Sequence, residues 1–351
     1  MIRTLVVVGA GLALAVPLAA TGEEVLREQS EKIVAAGGLR VLEVHNPRGA
    51  VSVRRGADAA VRLTAYKIAR GRDGRQAREL ATGAQVRVAT EGDRLTVRVE
   101  YPRHRRIELG FWDLFSGVKI ARVDVRLALE VPADLSILLR SGSGDLISDD
   151  LSGSQTLQTT SGDVEVGTAR GPLIVATTSG DVSVGEMVRG QLSSASGDIQ
   201  VDRAGGTLAV TTASGEIVVG EAADSLTVSC VSGDVRVAGV KRSLVLRTTS
   251  GKVSARASGR LSIEAGSGDV DVTLEPPLAK AEVTTVSGDM RVRLAAGLGC
   301  ALDLSTSSGS IDMAVPLDMQ SVSRQRVSGV LRRGSAPVVL RSSSGDIHVQ
   351  N

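Results

Sequence analysis

One short phrase, serine-glycine-aspartate followed by alternating valines, recurs from residue 141 to the end of this chain. It reads TTSGDVEV at 159–166, TTSGDVSV at 177–184 and SSSGDIHV at 342–349. Its central glycines follow one another at steps of 17 to 21 residues: Gly144, Gly162, Gly180, Gly197, Gly215, Gly233, Gly251, Gly268, Gly288 and Gly309. A weaker copy surrounds Gly329 and a full copy surrounds Gly345. So short a period is typical of solenoids, whose units must stack because each is too small to bury its own apolar face.

Each repeat predicts two short strands that meet at its glycine. The residue five positions before the glycine is always a branched aliphatic, and the residue two positions after it is aliphatic or Met290. Polar residues dominate the position between the two apolar ones that follow the glycine, so each strand buries one face. We therefore predict an all-β fold, a parallel β-solenoid (β-helix) of about 11–12 short rungs. Stacked hairpins remain an alternative, because Ser-Gly can close a tight turn.

The first 135 residues lack the repeat and divide into two predicted segments. Residues 1–20 carry Arg3 and an apolar run of twelve residues, the form of a secretory signal peptide. Residues 21–135 predict a β-rich N-terminal cap with strands near 39–44, 50–54, 60–68, 84–90, 94–100 and 118–131. We expect a short helix or mobile lead-in at 23–37 and a charged helix or loop at 71–83. Residues 136–351 form the third predicted segment, the solenoid.

Three stretches resemble a known bacterial family. They are the run of SGD repeats, VPADLSILLRSGSGDL at 131–146 and RVSGVLRRGSAPVVLRSSSGDIHV at 326–349. Together they resemble the DUF4097 family of β-strand-repeat proteins, which carries the name "putative adhesin", over about residues 40–351. The resemblance implies a β-helical protein that is exported or associated with the cell envelope and has no assigned activity.

The aspartate that follows the glycine in most repeats permits two interpretations. Stacked strands lie about 4.8 Å apart, so carboxylates in register could share calcium ions, as in aspartate-rich β-rolls. Alternatively each carboxylate accepts backbone N–H bonds in its own corner. Glu216, Lys252 and Ser310 replace the aspartate in three repeats, which favours the second interpretation and predicts no metal site. The serine before the glycine is likewise interpreted as a turn residue, since no histidine accompanies it as a catalytic base.

Composition and charge limit the functions to consider. The net charge is +2, with 21 basic and 16 acidic residues at 21–135 and 19 basic and 23 acidic residues at 136–351. Neither part is basic enough to predict nucleic-acid binding. We predict a non-enzymatic, exported periplasmic or surface protein without cofactors, which binds or scaffolds an envelope protein, a polysaccharide or a lipid surface. The alternatives are a carbohydrate-active β-helix enzyme and a sensing subunit, or one that polymerises through its C-terminal rung.

The two cysteines are predicted to stay unpaired. Cys230 belongs to the Gly233 repeat and Cys300 to the Gly309 repeat, four repeats later. At about 4.8 Å per rung their separation is on the order of 19 Å, far beyond the reach of a disulfide. Cys230 stands three positions before its glycine, where several repeats carry threonine, and we expect this position to face inward.

Residues 101–117, YPRHRRIELGFWDLFSG, are the one place where composition changes sharply. Four of the five aromatic residues of the chain fall here, beside a run of basic residues. We treat this stretch as a candidate contact loop that inserts aromatic side chains into an interface while arginines meet anionic groups. Its aromatics could instead fill the core of the cap. The candidate binding residues are Arg103, Arg105, Arg106, Phe111, Trp112 and Phe115.

Overall fold

The computed structural model describes residues 7–8, 24–71, 73–102 and 122–351. These residues are almost entirely β-strand, with one α-helix among them. The chain divides into two compact units, Met1–Glu165 and Val166–Asn351, and each is described by itself below. Within the described ranges, no helix combines the length and the hydropathy that a membrane crossing requires.

The first unit contains eleven strands, the start of a twelfth and a helix among its described residues. The strands are β1 (Val7–Val8), β2 (Glu24–Ala35), β3 (Val41–Asn46), β4 (Val51–Arg55), β5 (Ala60–Gly71), β6 (Gln85–Glu91), β7 (Arg94–Glu100), β8 (Arg122–Val131), β9 (Ser136–Ser141), β10 (Leu146–Asp149), β11 (Gln155–Gln158) and β12 (Val164–Thr177). Helix α1 (Gly74–Gly83) begins at the N-cap Asp73, whose carboxylate accepts a 2.8 Å hydrogen bond from Gln76 N.

Most of the strands predicted in this unit are confirmed, but residues 23–37 are a correction. Neither a helix nor a lead-in forms there. Strand β2 pairs antiparallel with β5 along its whole length, from Glu24 opposite Gly71 to Ala35 opposite Ala60. The reason is tertiary, since the edge of β5 offers backbone partners that a charged segment accepts regardless of its helix propensity.

Part of the predicted cap has the same strand register as the repeats. Strand β3 pairs parallel with both β7 and β9, and β4 pairs parallel with both β8 and β10. Val51, two positions after Gly49, lies between Leu127 and Leu146 in this ladder. The sequence around Gly49, PRGAVSV, is therefore a repeat whose serine and aspartate are replaced by Arg48 and Ala50.

The second unit continues β12 and adds sixteen strands. These are β13 (Val182–Ser196), β14 (Ile199–Ala204), β15 (Leu208–Ser214), β16 (Ile217–Ala222), β17 (Ser225–Ser232), β18 (Val235–Val240), β19 (Ser243–Ser250), β20 (Val253–Ser267), β21 (Val270–Ser287), β22 (Met290–Leu294), β23 (Cys300–Ser308), β24 (Ile311–Met313), β25 (Asp318–Val322), β26 (Arg326–Leu331), β27 (Ala336–Ser344) and β28 (Ile347–Gln350).

Repeats in this unit stack through two parallel ladders, one on each side of the glycine corner. Strand β15 pairs parallel with β17, and β16 pairs parallel with β18, so equivalent residues of successive repeats stand side by side. This is the solenoid-like arrangement predicted from the period. The alternative of stacked hairpins is wrong for this unit, because a hairpin joins its two strands in antiparallel pairs.

The predicted inward positions form the core. Every aliphatic residue five positions before a repeat glycine is buried, and so is the residue two positions after it, except Ile311 at the end of the stack. Cys230 is also buried, in register with Thr212 and Thr248 of the neighbouring coils. The inward orientation of this cysteine, predicted from the repeat, is thus confirmed.

The last repeat of the sequence is not the last coil of the stack. Strands β27 and β28 pair with β21 and β22 on one side and with β23 and β24 on the other. The predicted polymerisation through the C-terminal rung is therefore wrong, since both edges of that rung are already paired within the chain. The weak copy at Gly329 forms no corner either, because its strand β26 pairs antiparallel with β23 and β25.

Backbone atoms of successive corners pack directly against one another. Gly233 has a φ of +148°, and a Cβ built on it would overlap the carbonyl oxygen of Gly215 in the adjacent coil. The N–H of Gly215 in turn donates to Ser232 O at 3.2 Å, so the serine contributes its backbone carbonyl to the corner. Only glycine satisfies both the conformation and the close approach.

The aspartates join neighbouring coils. Asp198 N donates to Asp181 Oδ1 at 2.9 Å, and Glu216 N donates to Asp198 Oδ1 at 2.7 Å. The same bond joins Asp346 N to Asp289 Oδ1 at 3.0 Å. We expected each carboxylate to bind within its own corner, but the donor belongs to the next coil. Stacking about 4.8 Å apart places that N–H within reach of the carboxylate.

We predict that Gly233→Ala strongly destabilises the protein, whereas Gly239→Ala does not. An alanine at 233 would be forced into an unfavourable backbone conformation, at a cost of roughly 1–3 kcal/mol, in addition to the overlap with Gly215. Gly239 lies nearby with an ordinary φ and no atom within 4 Å of an added Cβ. Urea unfolding of the two variants measures the difference, and equal stabilities would refute the corner packing.

Acid should weaken one coil contact through Asp346. Hydrogen bonds from Ser310 N and the Ser310 hydroxyl lower the pKa of Asp346 below its ordinary value of 3.8. The folded state therefore gains stability from the ionised carboxylate above the unfolded pKa and loses it as pH falls through the lowered value.

We predict that Asp346→Ala lowers Tm at pH 7 and that its deficit relative to the parent shrinks below about pH 4. Asp318→Ala is the matched control, because the side chain of this exposed aspartate has no hydrogen-bond or ion-pair partner among the described residues. Thermal melts from pH 3 to pH 7 compare the variants. A deficit that stays constant with pH would contradict the role of the ionised group.

The thiols of Cys230 and Cys300 should both be free and slow to react in the folded protein. Both are buried, and burial raises the pKa of each thiol. Five ladder steps separate them, β17 to β19, β20, β21, β27 and β23, because the C-terminal coil is inserted. Their separation is therefore about 24 Å at about 4.8 Å per step. Titration after unfolding without reductant should give two thiols per chain; an intramolecular disulfide would contradict this order of coils.

Candidate functional site

The predicted contact residues lie outside the described part of the chain. Arg103, Arg105, Arg106, Phe111, Trp112 and Phe115 all fall within 103–121, so their role stays a prediction. The structure does describe both residues that flank this segment. Strand β7 leads to Tyr101 and Pro102, and β8 begins at Arg122.

The segment occupies the place of an SGD corner. Val97 of β7 is in register with Val44 of β3, and Leu127 of β8 is in register with Val51 of β4. Strands β7 and β8 are thus the two strands of one coil, and the chain between them replaces the short corner of the other coils. A loop at this position is anchored at both ends by parallel ladders.

Three stacked corners of the first unit enclose a cavity of about 600 Å³. One wall comes from the start of β8, a second from the PRGA corner at 47–50, and a third from the corner of the Gly144 repeat. The lining residues are Arg48, Gly49, Ala50, Arg122, Asp124, Arg126, Ser143, Gly144 and Asp145. In the row where other repeats carry serine and aspartate, this cavity carries arginine.

Tyr101 and Asn46 fasten the base of the segment to this cavity. The Tyr101 hydroxyl accepts from Val125 N at 3.2 Å and lies 2.9 Å from Asn46 Oδ1, within hydrogen-bonding distance also of the Arg48 carbonyl. Asn46 is fully buried and its Nδ2 donates to Val125 O at 2.8 Å and to Gly49 O at 2.9 Å. Burial raises the pKa of Tyr101, so its hydroxyl remains protonated and available as a donor.

The charges of the cavity are only partly neutralised. The Arg122 guanidinium pairs with Asp124 at 3.1 Å, and the Arg48 guanidinium stacks 5.6 Å from the centre of the Tyr101 ring. Within the described residues, Arg126 has no carboxylate at ion-pair distance. An exposed arginine beside a second, stacked arginine is suited to carboxylate or phosphate groups, which guanidinium binds through two parallel hydrogen bonds.

The site offers charge and hydrogen bonding rather than acid-base chemistry. Desolvation by burial, followed by the nearby cations Arg98 and Arg140, lowers the pKa of His45. The carboxylate of Asp145 accepts a hydrogen bond from Asp163 N at 3.2 Å. Over the described ranges, histidine, cysteine and carboxylate side chains form no group of three that could hold a metal ion.

Sequence reasoning missed Arg48, Arg122 and Arg126. A usable signal was present, because PRGAVSV at 47–53 keeps the glycine and the two valines of the repeat while exchanging its polar residues. Alignment of this stretch with the SGD copies would have placed Arg48 in the serine position. The contributions of Arg122 and Arg126 depend on the pairing of β4 with β8, which no short-range pattern announces.

Comparison with known proteins gives several solved structures, whereas no curated protein matches the chain. A "putative cell adhesion protein" from Clostridium sporogenes is 10% identical, covers 92% of this chain and 99% of its own, and has a TM-score of 0.24. A "putative lipid binding protein" from Parabacteroides distasonis is 12% identical, with coverages of 77% and 96% and a TM-score of 0.34. A "putative adhesin" from Bacteroides fragilis is 10% identical, with coverages of 92% and 96% and a TM-score of 0.31.

A family match agrees with the resemblance carried by the repeats. The sequence model of the family described as Toastrack DUF4097 matches residues 189–350. This stretch runs from strand β13 to the final strand β28 and contains the two parallel ladders of the second unit. The family predicted from the SGD repeats is confirmed there: residues 189–350 of this chain belong to the Toastrack DUF4097 family.

Proposed function

We propose that this protein is a non-enzymatic, exported envelope or surface protein that binds an anionic surface through the corner cavity of its first unit. The observation that carries the proposal is the replacement of the serine and aspartate row by Arg48, Arg122 and Arg126 around one cavity. The partner is an acidic polysaccharide, an anionic lipid surface or an acidic face of an envelope protein.

The segment at 103–121 enlarges this contact. It leaves the corner beside the arginines and carries Phe111, Trp112 and Phe115 together with a basic run. Aromatic rings combined with arginines suit an interface where apolar groups and anions lie close together. Arginines of the cavity and of the segment would then act on the same partner.

Export is supported by the sequence of residues 1–20, which has a basic start, an apolar run too short to span a bilayer and small residues after it. Removal of this segment would leave the described part of the first unit from Glu24 onward. A periplasmic or surface location matches a partner rich in anionic groups.

A binding role fits the carboxylates better than catalysis does. Hydrolysis of a glycosidic bond needs two carboxyl groups that converge on one bond. Here the repeat aspartates are spread along the stack, and Asp181, Asp198 and Asp289 each accept a backbone hydrogen bond from the next coil. Their exposed neighbours Glu186 and Glu264 are engaged by Arg203 and Arg247.

We predict that the double variant Arg48→Gln/Arg126→Gln binds vesicles containing phosphatidylglycerol at least tenfold more weakly than the parent. The variant removes two positive charges from the cavity and should leave stability nearly unchanged, since both side chains are exposed. Sedimentation with vesicles, with pure phosphatidylcholine as the neutral reference, measures binding. Added salt should weaken the parent's binding, because exposed charges are screened.

The control variant Arg203→Gln/Arg247→Gln makes the same change in net charge in the second unit, where both arginines are paired with glutamates. It should retain binding, and equal loss in both variants would refute a localised site. Trp112→Ala tests the segment. It should reduce binding with little change in stability, whereas a loss of about 3–5 kcal/mol with unchanged binding would place the ring in a core instead.

A further inference from the structure

Residues 241–260 are the most basic stretch of the repeats. They include Lys241, Arg242, Arg247, Lys252, Arg256 and Arg260, and no acidic residue. The surrounding region, residues 136–351, has four more acidic than basic residues, 23 against 19. A local excess of positive charge in an acidic region calls for a structural or a functional explanation.

Three of these cations meet at the corner opposite the glycines. Lys241 and Arg242 form the turn between β18 and β19, and Arg260 lies where β20 bends from one ladder into the other. Ser225, Ser243 and Arg260 occupy equivalent positions in three successive coils. At about 4.8 Å between coils, the basic side chains are neighbours across the stack.

These residues border a cavity of about 720 Å³ in the second unit. Hydroxyl groups stand beside the cations, which supplies neutral hydrogen-bond donors as well as charge. The lining residues are Thr207, Asp224, Ser225, Lys241, Arg242, Ser243, Gly259, Arg260 and Ala279.

The backbone beneath the cations is fixed. Arg260 N donates to Arg242 O at 2.9 Å, and Lys241 N donates to Ala222 O at 3.0 Å. Gly259 has a φ of +76°, and a Cβ there would overlap the Arg242 carbonyl oxygen. The positions from which Lys241, Arg242 and Arg260 extend are thus set by the ladder rather than by a flexible loop.

The charge of the cavity is incompletely balanced. Arg242 pairs with Asp224 at 3.2 Å. Lys241 and Arg260 have no carboxylate within ion-pair distance among the residues that the structure describes. Two or three like charges at this spacing repel one another, and a multiply charged anion would relieve that repulsion.

We infer that this cavity binds a phosphate group. Phosphate offers several strong acceptor oxygens and up to two negative charges, which match a lysine point charge, a guanidinium fork and serine or threonine hydroxyls. The shared chemistry covers a free phosphate or diphosphate and a phosphate in a lipid headgroup. The inference concerns the second unit only and does not depend on the arginine cavity of the first.

Calorimetric titration with inorganic diphosphate tests the inference. The parent should bind with a stoichiometry of one at this site, and Lys241→Gln/Arg260→Gln should weaken binding at least tenfold. The control Arg247→Gln/Arg256→Gln removes the same charge from the same stretch, at side chains paired with Glu264 and Glu275. It should bind diphosphate as the parent does.

A second arm identifies the source of the phosphate. Binding to phosphatidylglycerol vesicles is measured in the Arg48→Gln/Arg126→Gln background, with and without Lys241→Gln/Arg260→Gln. A decrease caused by the second pair assigns a headgroup, whereas diphosphate binding without such a decrease assigns a soluble phosphate. Absence of binding in both arms, equal loss in the control, or equally tight binding of acetate would each overturn the inference.

Discussion

Contact between backbone atoms at the corners of neighbouring coils is the constraint on which the rest of the structure depends. Each corner glycine lies so close to the carbonyl of the previous one that no side chain fits, as at Gly233 against Gly215. This contact holds the two parallel ladders in register on either side of the corner. It also brings each aspartate carboxylate within reach of the next N–H, so one close approach fixes both pairing and capping.

A corner held by backbone atoms leaves its outward side chains free to change. Most repeats carry serine and aspartate there, and the carboxylates are occupied in bridging coils. In the first unit the same row carries Arg48, and one coil replaces the corner by the whole segment between Tyr101 and Arg122. The same scaffold therefore presents either a bridged acidic row or a basic cavity without altering the ladders beneath it.

Both cavities depend on stacking to collect charge from distant parts of the sequence. Arg48 and Arg126 belong to coils that are neighbours through β4 and β8. Lys241 and Arg260 come together through β19 and β20. In each case a short, rigid corner limits how far the side chains can separate, which keeps their mutual repulsion available for an anionic partner to relieve.

The sequence by itself determined the strands, their buried faces and their corners, because an alternation with period two and a recurring glycine are local properties. It determined the inward position of Cys230 for the same reason. Only the tertiary structure decided that β2 is a strand, that the Gly345 coil lies between those of Gly288 and Gly309, and that three arginines share one cavity. Successive coils present nearly identical edges, so the repeat pattern leaves their order open. Pairing along the whole chain selects one order, and with it the residues that meet at each corner.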